Sequence, residues 1–351
     1  MSSLHSKIKG VERIAAAISN GIAAWLTYFR NGVLTVRIGW IGVHAEGIPA
    51  LEAVCAADYD VVGLMTLRQD KAERRCGSAD YDAMCERFEI PLYEVDNCND
   101  PSSIAILKSW NCDLLVVLGW GQILGSEALQ QARIGTVGAH ASLLPHNRGS
   151  APVNWAIING EQQTGNSLIW LVEGVDSGDL IDQRSFPISD YDTCTTIYDR
   201  VAESNGDMLI QLLQQLEAGE RPGTVQLETG EPILPRRRPK DGVVNWNSSS
   251  EEIYNLVRAL ARPYPGAFAY LNGEAYRIWN AAVLPLSRPL AAPGTVLGPV
   301  KSPEDSACGI LVATNNGAIL VVEVEDASGR VIQGKELSEQ SWTGQRLSNA
   351  A

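Results

Sequence analysis

The sequence predicts an α/β protein, a doubly wound, mostly parallel sheet followed by a small barrel-like, OB-like β domain. Three observations predict it. Over residues 33–137, short apolar runs alternate with helical patterns, the order that right-handed crossovers turn into a parallel sheet. Residues 220–241 (ERPGTVQLETGEPILPRRRPKD) shift to Pro, Gly and charge, which reads as a linker between domains. Beyond them, short alternating runs separated by turns mark a β domain.

Taken in order, the chain begins with a helical extension, residues 1–32. Val11, Ile14, Ile18, Ile22, Leu26 and Phe29 recur at three- and four-residue intervals, the stripe of an amphipathic helix. Such a helix packs on its own domain or on a second subunit, which makes a homodimer one expectation; attachment to a membrane surface is the alternative. Glu12, Arg13, Ser19 and Asn20 interrupt the stretch, so neither a membrane span nor a signal peptide is expected. The catalytic-type domain spans residues 33–219, with strands at 33–43, 60–67, 92–95, 113–118 and 135–137. Its helices are expected at 47–57, 81–88, 102–110, 151–158 and 195–216, with a further apolar run at 168–172. After the linker, residues 242–351 carry a helix at 250–261, a Pro-Tyr-Pro-Gly turn at 263–266, and runs at 267–271, 275–279, 294–297, 309–314 and 318–324.

Length and composition narrow the class. The 351 residues, 45% of them hydrophobic, suffice for two ordinary domains with sizeable cores. A net charge of −13 and a pI near 4.8 argue against broad nucleic-acid binding, which needs many Lys and Arg contacts to phosphate. Seven scattered cysteines, an odd number without a CxxC pair, read as reduced thiols in a cytoplasmic protein. Four histidines leave little for a metal site. The turn after the first strand reads GVHAEG rather than GxGxxG, so a dinucleotide site is unsupported and His44 is assigned to packing or surface.

In a parallel sheet, ligands sit at the carboxyl ends of the strands, where loops 119–124, 138–149 and 173–179 are all expected to emerge. A histidine at a strand end with a carboxylate brought up by the next loop is a general acid/base arrangement, in which the carboxylate orients the imidazole and stabilises its protonated form. His140 and Asp176 fit these parts, although residue type and spacing leave a structural histidine open. Asn147, Arg148 and Gly149 are equally open between a turn and an anion site. Ser142 lacks a GxSxG elbow and no cysteine has an evident base.

At these residues the chain resembles the folate-dependent formyltransferase family. The family pattern of Asn-x-His, Ser-Leu-Leu-Pro, Arg-Gly, Ala-Pro and Asp-x-Gly corresponds to Gly138-Ala139-His140, Ser142-Leu143-Leu144-Pro145, Arg148-Gly149, Ala151-Pro152 and Asp176-Ser177-Gly178. The resemblance runs from about residue 36 into the C-terminal domain. It implies 10-formyltetrahydrofolate as formyl donor, His140 as acid/base and oxyanion stabiliser, and Asp176 as the group that holds His140. It also implies a pterin pocket lined by Gly119, Trp120, Gly121, Gln122, Ile123 and Leu124 and by Glu173, Gly174, Val175 and Asp179. One departure stands out. The family's catalytic Asn falls on Gly138, and loss of an oxyanion donor costs about 2.7–4 kcal/mol. Water or Asn147 supplies the bond, the reaction differs, or activity is lost.

For the acceptor, residues 235–246 and 256–268 look most like the nucleotide-sugar N-formyltransferases similar to the UDP-4-amino-arabinose enzyme. That implies a nucleotide-linked amino sugar as partner, with Ser142, Asn147 and Arg148 near it and Arg236, Arg237 and Arg238 either meeting its diphosphate or forming a solvated linker. Methionyl-tRNA formyltransferases share the architecture, but the acidity weighs against tRNA. Formyl hydrolases also resemble the chain, including Val153-Asn154-Trp155, and a folate or nucleotide-sugar binder without chemistry would follow from Gly138.

Overall fold

The computed structural model describes residues 36–284, 286 and 288–350. The amphipathic stripe at 11–29, and with it the extension 1–32 and the start of the strand expected at 33–43, lies outside the described residues. The first sheet holds β1 (Ile38–Ile41), β2 (Val61–Leu67), β3 (Leu92–Val95), β4 (Leu114–Val117), β5 (Gly135–His140), β6 (Gln163–Trp170) and β7 (Leu180–Pro187) in the order β3-β2-β1-β4-β5-β6-β7. β1 to β5 are parallel; β6 alone is reversed, pairing antiparallel with both β5 and β7, so β7 runs in the same direction as β5. Every residue of β1 and β4 is buried, as continuous apolar runs covered on both faces require.

Helices cover both faces and end where their caps dictate. Pro101 opens the helix Pro101–Trp110, and Asn111 closes it in the left-handed conformation. Thr193 and Thr196 form a reciprocal capping pair at the start of Cys194–Glu217, and Ser249 and Glu252 do the same for Ser250–Ala259. One core packs Trp40, Leu51, Leu64, Leu209 and Leu213 under the long helix. The opposite face packs Ile41, Met65, Leu107, Trp110 and Leu115. Trp110 lies so close to the sheet that a Cβ at Gly39 or Gly63 would meet its ring at 2.6 or 2.5 Å, so these two strand positions must lack side chains.

The sequence reading does not anticipate β7. It is the outermost strand of its sheet and its side chains are mostly half-exposed, so LIDQRSFP lacks the apolar alternation that marks strands with one face in a core.

The second sheet is antiparallel, with β8 (Ala267–Leu271), β9 (Glu274–Val283), β10 (Val296–Val300), β11 (Gly309–Ala313) and β12 (Ala318–Glu325) in the order β10-β11-β12-β9-β8 and β13 (Val331–Gln333) on β12. Asn272 and Gly273, both with positive φ, make the two-residue turn between β8 and β9. Residues 344–348 bond to both outer strands: Val296 N–H donates to Gln345 O at 2.9 Å and Tyr270 N–H to Ser348 O at 2.9 Å. Both edges are thereby covered, which gives this sheet its barrel-like character. The two sheets meet through Val153, Ile157, Ile197 and Ala259 and through Asn154, whose Nδ2 donates to Ala259 O at 2.6 Å.

Candidate functional site

His140 is the last residue of β5 and is buried. Its Nε2 lies 2.8 Å from the carbonyl oxygen of Asn147; a carbonyl only accepts, so Nε2 carries a proton. Its Nδ1 lies 3.5 Å from Asp176 Oδ2, a contact longer than a good hydrogen bond. A neutral imidazole donates to one of these oxygens, and an imidazolium donates to both. The same Asp176 oxygen accepts from Gly149 N–H at 2.9 Å, so the carboxylate is aimed by backbone from the loop that follows His140.

That loop is held by side chains from the adjoining strands. Ser167 Oγ donates to Ser142 O at 2.6 Å and accepts from Leu144 N–H at 3.1 Å. Gln183 Nε2 donates to Leu144 O at 3.0 Å. Ser142 is buried and its hydroxyl donates to His146 O at 2.7 Å, so it braces the loop rather than facing a ligand as the resemblance implied. Asn147 takes a left-handed φ of 58°, and its Nδ2 donates to both carboxylate oxygens of Glu161 at 3.0 and 3.1 Å. With its amide so committed, Asn147 does not replace the missing catalytic Asn.

The route by which Asp176 arrives differs from the expected one. Because β6 is antiparallel, its carboxyl end lies beside Thr136, where Leu171 N–H donates to Thr136 O at 2.8 Å. Loop 173–179 therefore leaves the sheet at the amino end of β5 and folds back toward His140. The segment read as a linker holds it there. Gln226, buried, donates through Nε2 to Asp176 O at 2.9 Å and Gly178 O at 2.6 Å. Its Oε1 accepts from Arg148 Nη2 at 2.8 Å and Nε at 3.2 Å. Thus Arg148 clamps the strap 220–238 instead of presenting its fork to an anion. Leu234 pairs with this same stretch, its N–H donating to Arg148 O at 2.7 Å. Nothing in the sequence singled out Gln226, since a buried side-chain amide in a polar linker has no periodic signature.

At Gly138 a Cβ would stand 3.0 Å from both δ-methyls of Leu171 and 3.1 Å from Val117 O. Leu171 thus occupies the space beside the position where the family carries its Asn.

The expected pterin loops divide into scaffold and surface. Gly119, with a φ of 62°, accepts through its carbonyl from Val43 and His44 N–H at 3.2 and 3.1 Å. Gln122 spans to the loop after β3, accepting from Cys98 N–H and donating to Asp96 O, both at 3.0 Å, and so shapes the loop. Trp120, Leu124 and Leu171 share one apolar cluster with Val117, while Ile123 is 70% and Val172 47% exposed. Gly121, Glu173 and Gly174 are exposed and Val175 is half-buried. Asp179 sits near Arg221, whose guanidinium lies 3.9 Å over the Trp170 ring.

Of the three consecutive arginines, Arg237 lies 4.8 Å over the Trp155 ring, and its Nη2 donates to Asp241 O at 2.7 Å. Arg236 and Arg238 are exposed. No group of three metal-ligating side chains occurs among the described residues, the described cysteines are all free, and no described helix is long and apolar enough to cross a membrane.

Residues 52–213 match the family Formyl transferase, and residues 237–341 match Formyl transferase, C-terminal domain. The methionyl-tRNA formyltransferase of Symbiobacterium thermophilum is 36% identical over 295 residues, 83% of this chain and 88% of that protein. HypX from Aquifex aeolicus, solved with tetrahydrofolic acid, superposes with a TM-score of 0.59 at 19% identity over 86% of this chain; the chain spans only 46% of HypX. WlaRD, a sugar 3N-formyl transferase solved with dTDP and 5-N-formyl-THF, superposes with a TM-score of 0.58 at 16% identity over 84% of this chain and 98% of that one. These two likenesses concern the fold. With both family matches and the 36% identical relative in hand, the chain belongs to the folate-dependent formyltransferases, enzymes whose formyl donor is 10-formyltetrahydrofolate.

Proposed function

We propose that this enzyme transfers the formyl group to the amine of a nucleotide-linked amino sugar, with His140 and Asp176 handling the proton. The observation that carries the reading is the His140 ring set between two acceptors, Asn147 O at 2.8 Å and Asp176 Oδ2 at 3.5 Å. With Nε2 committed to Asn147 O, Nδ1 is the ring atom left to exchange a proton with the reacting amine, beside the Asp176 carboxylate. 10-Formyltetrahydrofolate supplies the formyl group, and Ile123, Leu124 and Val172 with the open backbone of Gly121 and Gly174 are the residues to hold it.

The charge that develops on the formyl oxygen needs a donor, and Gly138 has none. In the adjoining loop Ser142 is bonded to His146 O, His146 to Glu231, Asn147 to Glu161 and Arg148 to Gln226. Both ring nitrogens of His140 also face acceptors, Asn147 O and Asp176 Oδ2, so this task falls to a backbone N–H or to water.

The net charge of −13 supports a small acceptor over tRNA, and the exposed Arg236 and Arg238 offer charge to a diphosphate. A second reading, initiator methionyl-tRNA as acceptor, is favoured by the 36% identical relative. The test supplies 10-formyltetrahydrofolate with a panel of amino-sugar nucleotides, with methionyl-tRNA, or with neither. Tetrahydrofolate release is followed by absorbance and the formylated product by mass. Turnover restricted to the sugar panel supports the proposal; turnover restricted to tRNA replaces it, and equal turnover without acceptor makes the enzyme a hydrolase.

A further inference from the structure

The neutral ring of His140 has one proton and two acceptors that compete for it. Asn147 O, at 2.8 Å, draws it to Nε2, and Asp176 Oδ2, at 3.5 Å, draws it to Nδ1. Hydrogen bonds to a carboxylate are the stronger kind, so the ring keeps its proton at Nε2 only while Asn147 O stays in place. The backbone alone does not keep it there. Asn147 has a φ of 58°, a left-handed conformation that persists where the surroundings enforce it. Among the described residues its carbonyl meets no donor besides His140 Nε2.

Glu161 supplies the enforcement. Asn147 Nδ2 donates both its hydrogens to the Glu161 carboxylate, at 3.1 Å to Oε1 and 3.0 Å to Oε2. The amide therefore cannot turn over, because its own oxygen would face a group that only accepts. Glu161 is itself fixed by the end of the helix Pro152–Ile158. There Gly160, with a φ of 70°, donates its N–H to Ile157 O at 3.0 Å, and Glu161 N–H donates to Ala156 O at 2.9 Å. These two bonds and the left-handed glycine are the motif with which many helices close. The same helix is tied to the second domain through Asn154 and Ala259, so the carboxylate stands on a rigid base.

We propose that Glu161 is a positioning residue: by holding Asn147 it sets the tautomer of His140, with the proton at Nε2 and the Nδ1 lone pair free for the reacting amine. This rests on the proton-handling role given to His140 above. The proton that Nδ1 takes as the amine attacks the formyl carbon is the one the leaving folate nitrogen receives as its bond to that carbon breaks, so the ring ends as it began. Without Glu161, Asn147 relaxes out of the left-handed region and its carbonyl leaves the ring. The proton then moves to Nδ1, toward Asp176, and the base is blocked on the side where the amine arrives.

Imidazole 15N spectra of the full chain, recorded without ligand on the alkaline side of the imidazole titration, read the tautomer directly. The His140 signals are those lost in His140→Ala. The parent shows a protonated Nε2 and a bare Nδ1. In Glu161→Ala, with circular dichroism unchanged, the proton is shared with Nδ1 or moved to it, whereas Glu161→Gln, which keeps an oxygen for Asn147 Nδ2, retains the parent pattern. Turnover is measured with 10-formyltetrahydrofolate and whichever of the amino-sugar nucleotides or methionyl-tRNA the parent formylates. Glu161→Ala lowers kcat by roughly 10-fold or more and changes KM by less than ~3-fold. In Asn147→Gly, which tolerates the positive φ, adding Glu161→Ala lowers kcat no further. An unchanged 15N pattern in Glu161→Ala, or a loss of kcat that adds in full to that of Asn147→Gly, overturns the proposal. A shifted tautomer with unchanged kcat keeps the hold of Glu161 on the ring and rejects proton handling by His140. Parent-like spectra and kcat in Glu161→Ala, beside a loss of kcat in His140→Ala, reject the hold and keep the function.

Discussion

Replacing Gly138 by asparagine asks whether the missing side chain limits the rate. Gly138 lies inside β5 with no positive φ, so an asparagine meets no backbone strain there. Its Cβ does meet both δ-methyls of Leu171 at 3.0 Å and Val117 O at 3.1 Å, where ordinary contact begins near 3.4 Å. Overpacking of this kind costs ~1–3 kcal/mol, comparable to the ~2.7–4 kcal/mol that an oxyanion donor contributes. The single variant Gly138→Asn is therefore expected to lose stability and to show little gain in kcat. Adding Leu171→Ala removes the two methyls; because Leu171 is half-buried, the truncation costs less than the ~2–5 kcal/mol of a fully buried leucine. The double variant, assayed by tetrahydrofolate release at saturating acceptor and referred to Leu171→Ala alone, should gain roughly 10²-fold in kcat. A well-folded double variant with a gain below ~3-fold refutes the idea that a donor is missing at this position and places oxyanion stabilisation elsewhere.

Three further outcomes are expected. His140→Ala and Asp176→Ala each lower kcat by ~10²-fold or more, with circular dichroism unchanged; near-parent rates in either one remove the pair from the chemistry. Gln226→Leu frees Arg148 and the carbonyls of Asp176 and Gly178, so melting shows a loss of ~1–3 kcal/mol, and kcat falls by more than the Arg148→Gln change alone, since Asp176 is then no longer held; equal kcat values contradict a positioning role. Glu46 bears on stability against pH. Its folded pKa is raised from 4.5 to about 7 by burial, so between these values the folded state binds more protons than the unfolded state, and stability declines as pH rises. Denaturant midpoints from about pH 4.5 to 7 should show that decline, with Glu46→Gln more stable relative to the parent at the upper end by ~1–2 kcal/mol, discounted for partial exposure. A constant difference across the range contradicts the raised value.

Much of the site's neighbourhood was legible in the text of the chain. The stretch from His140 to Gly149 carried its turn formers and its histidine together, and the structure does bring His140, Gly149 and Asp176 into contact. Arg148 and Asn147 illustrate what was not legible. Each has the chemistry of a ligand contact, yet each is consumed by a partner far along the chain, Gln226 and Glu161 respectively. Residue type states what a side chain is able to bind, and only packing decides what it meets.

By itself the sequence determined the class of fold, because alternation of apolar runs with helical stripes is a local property written every few residues. Helix ends followed too, since Pro101, Thr193 and Ser249 satisfy or remove the first backbone donors on the spot. Tertiary structure decided the direction of β6, and with it the path of loop 173–179 back over β5. It also decided that the polar strap at 220–238 closes on Arg148 and Asp176 through Gln226. Strand direction and side-chain partners depend on contacts between residues distant in the chain, and no local period records them.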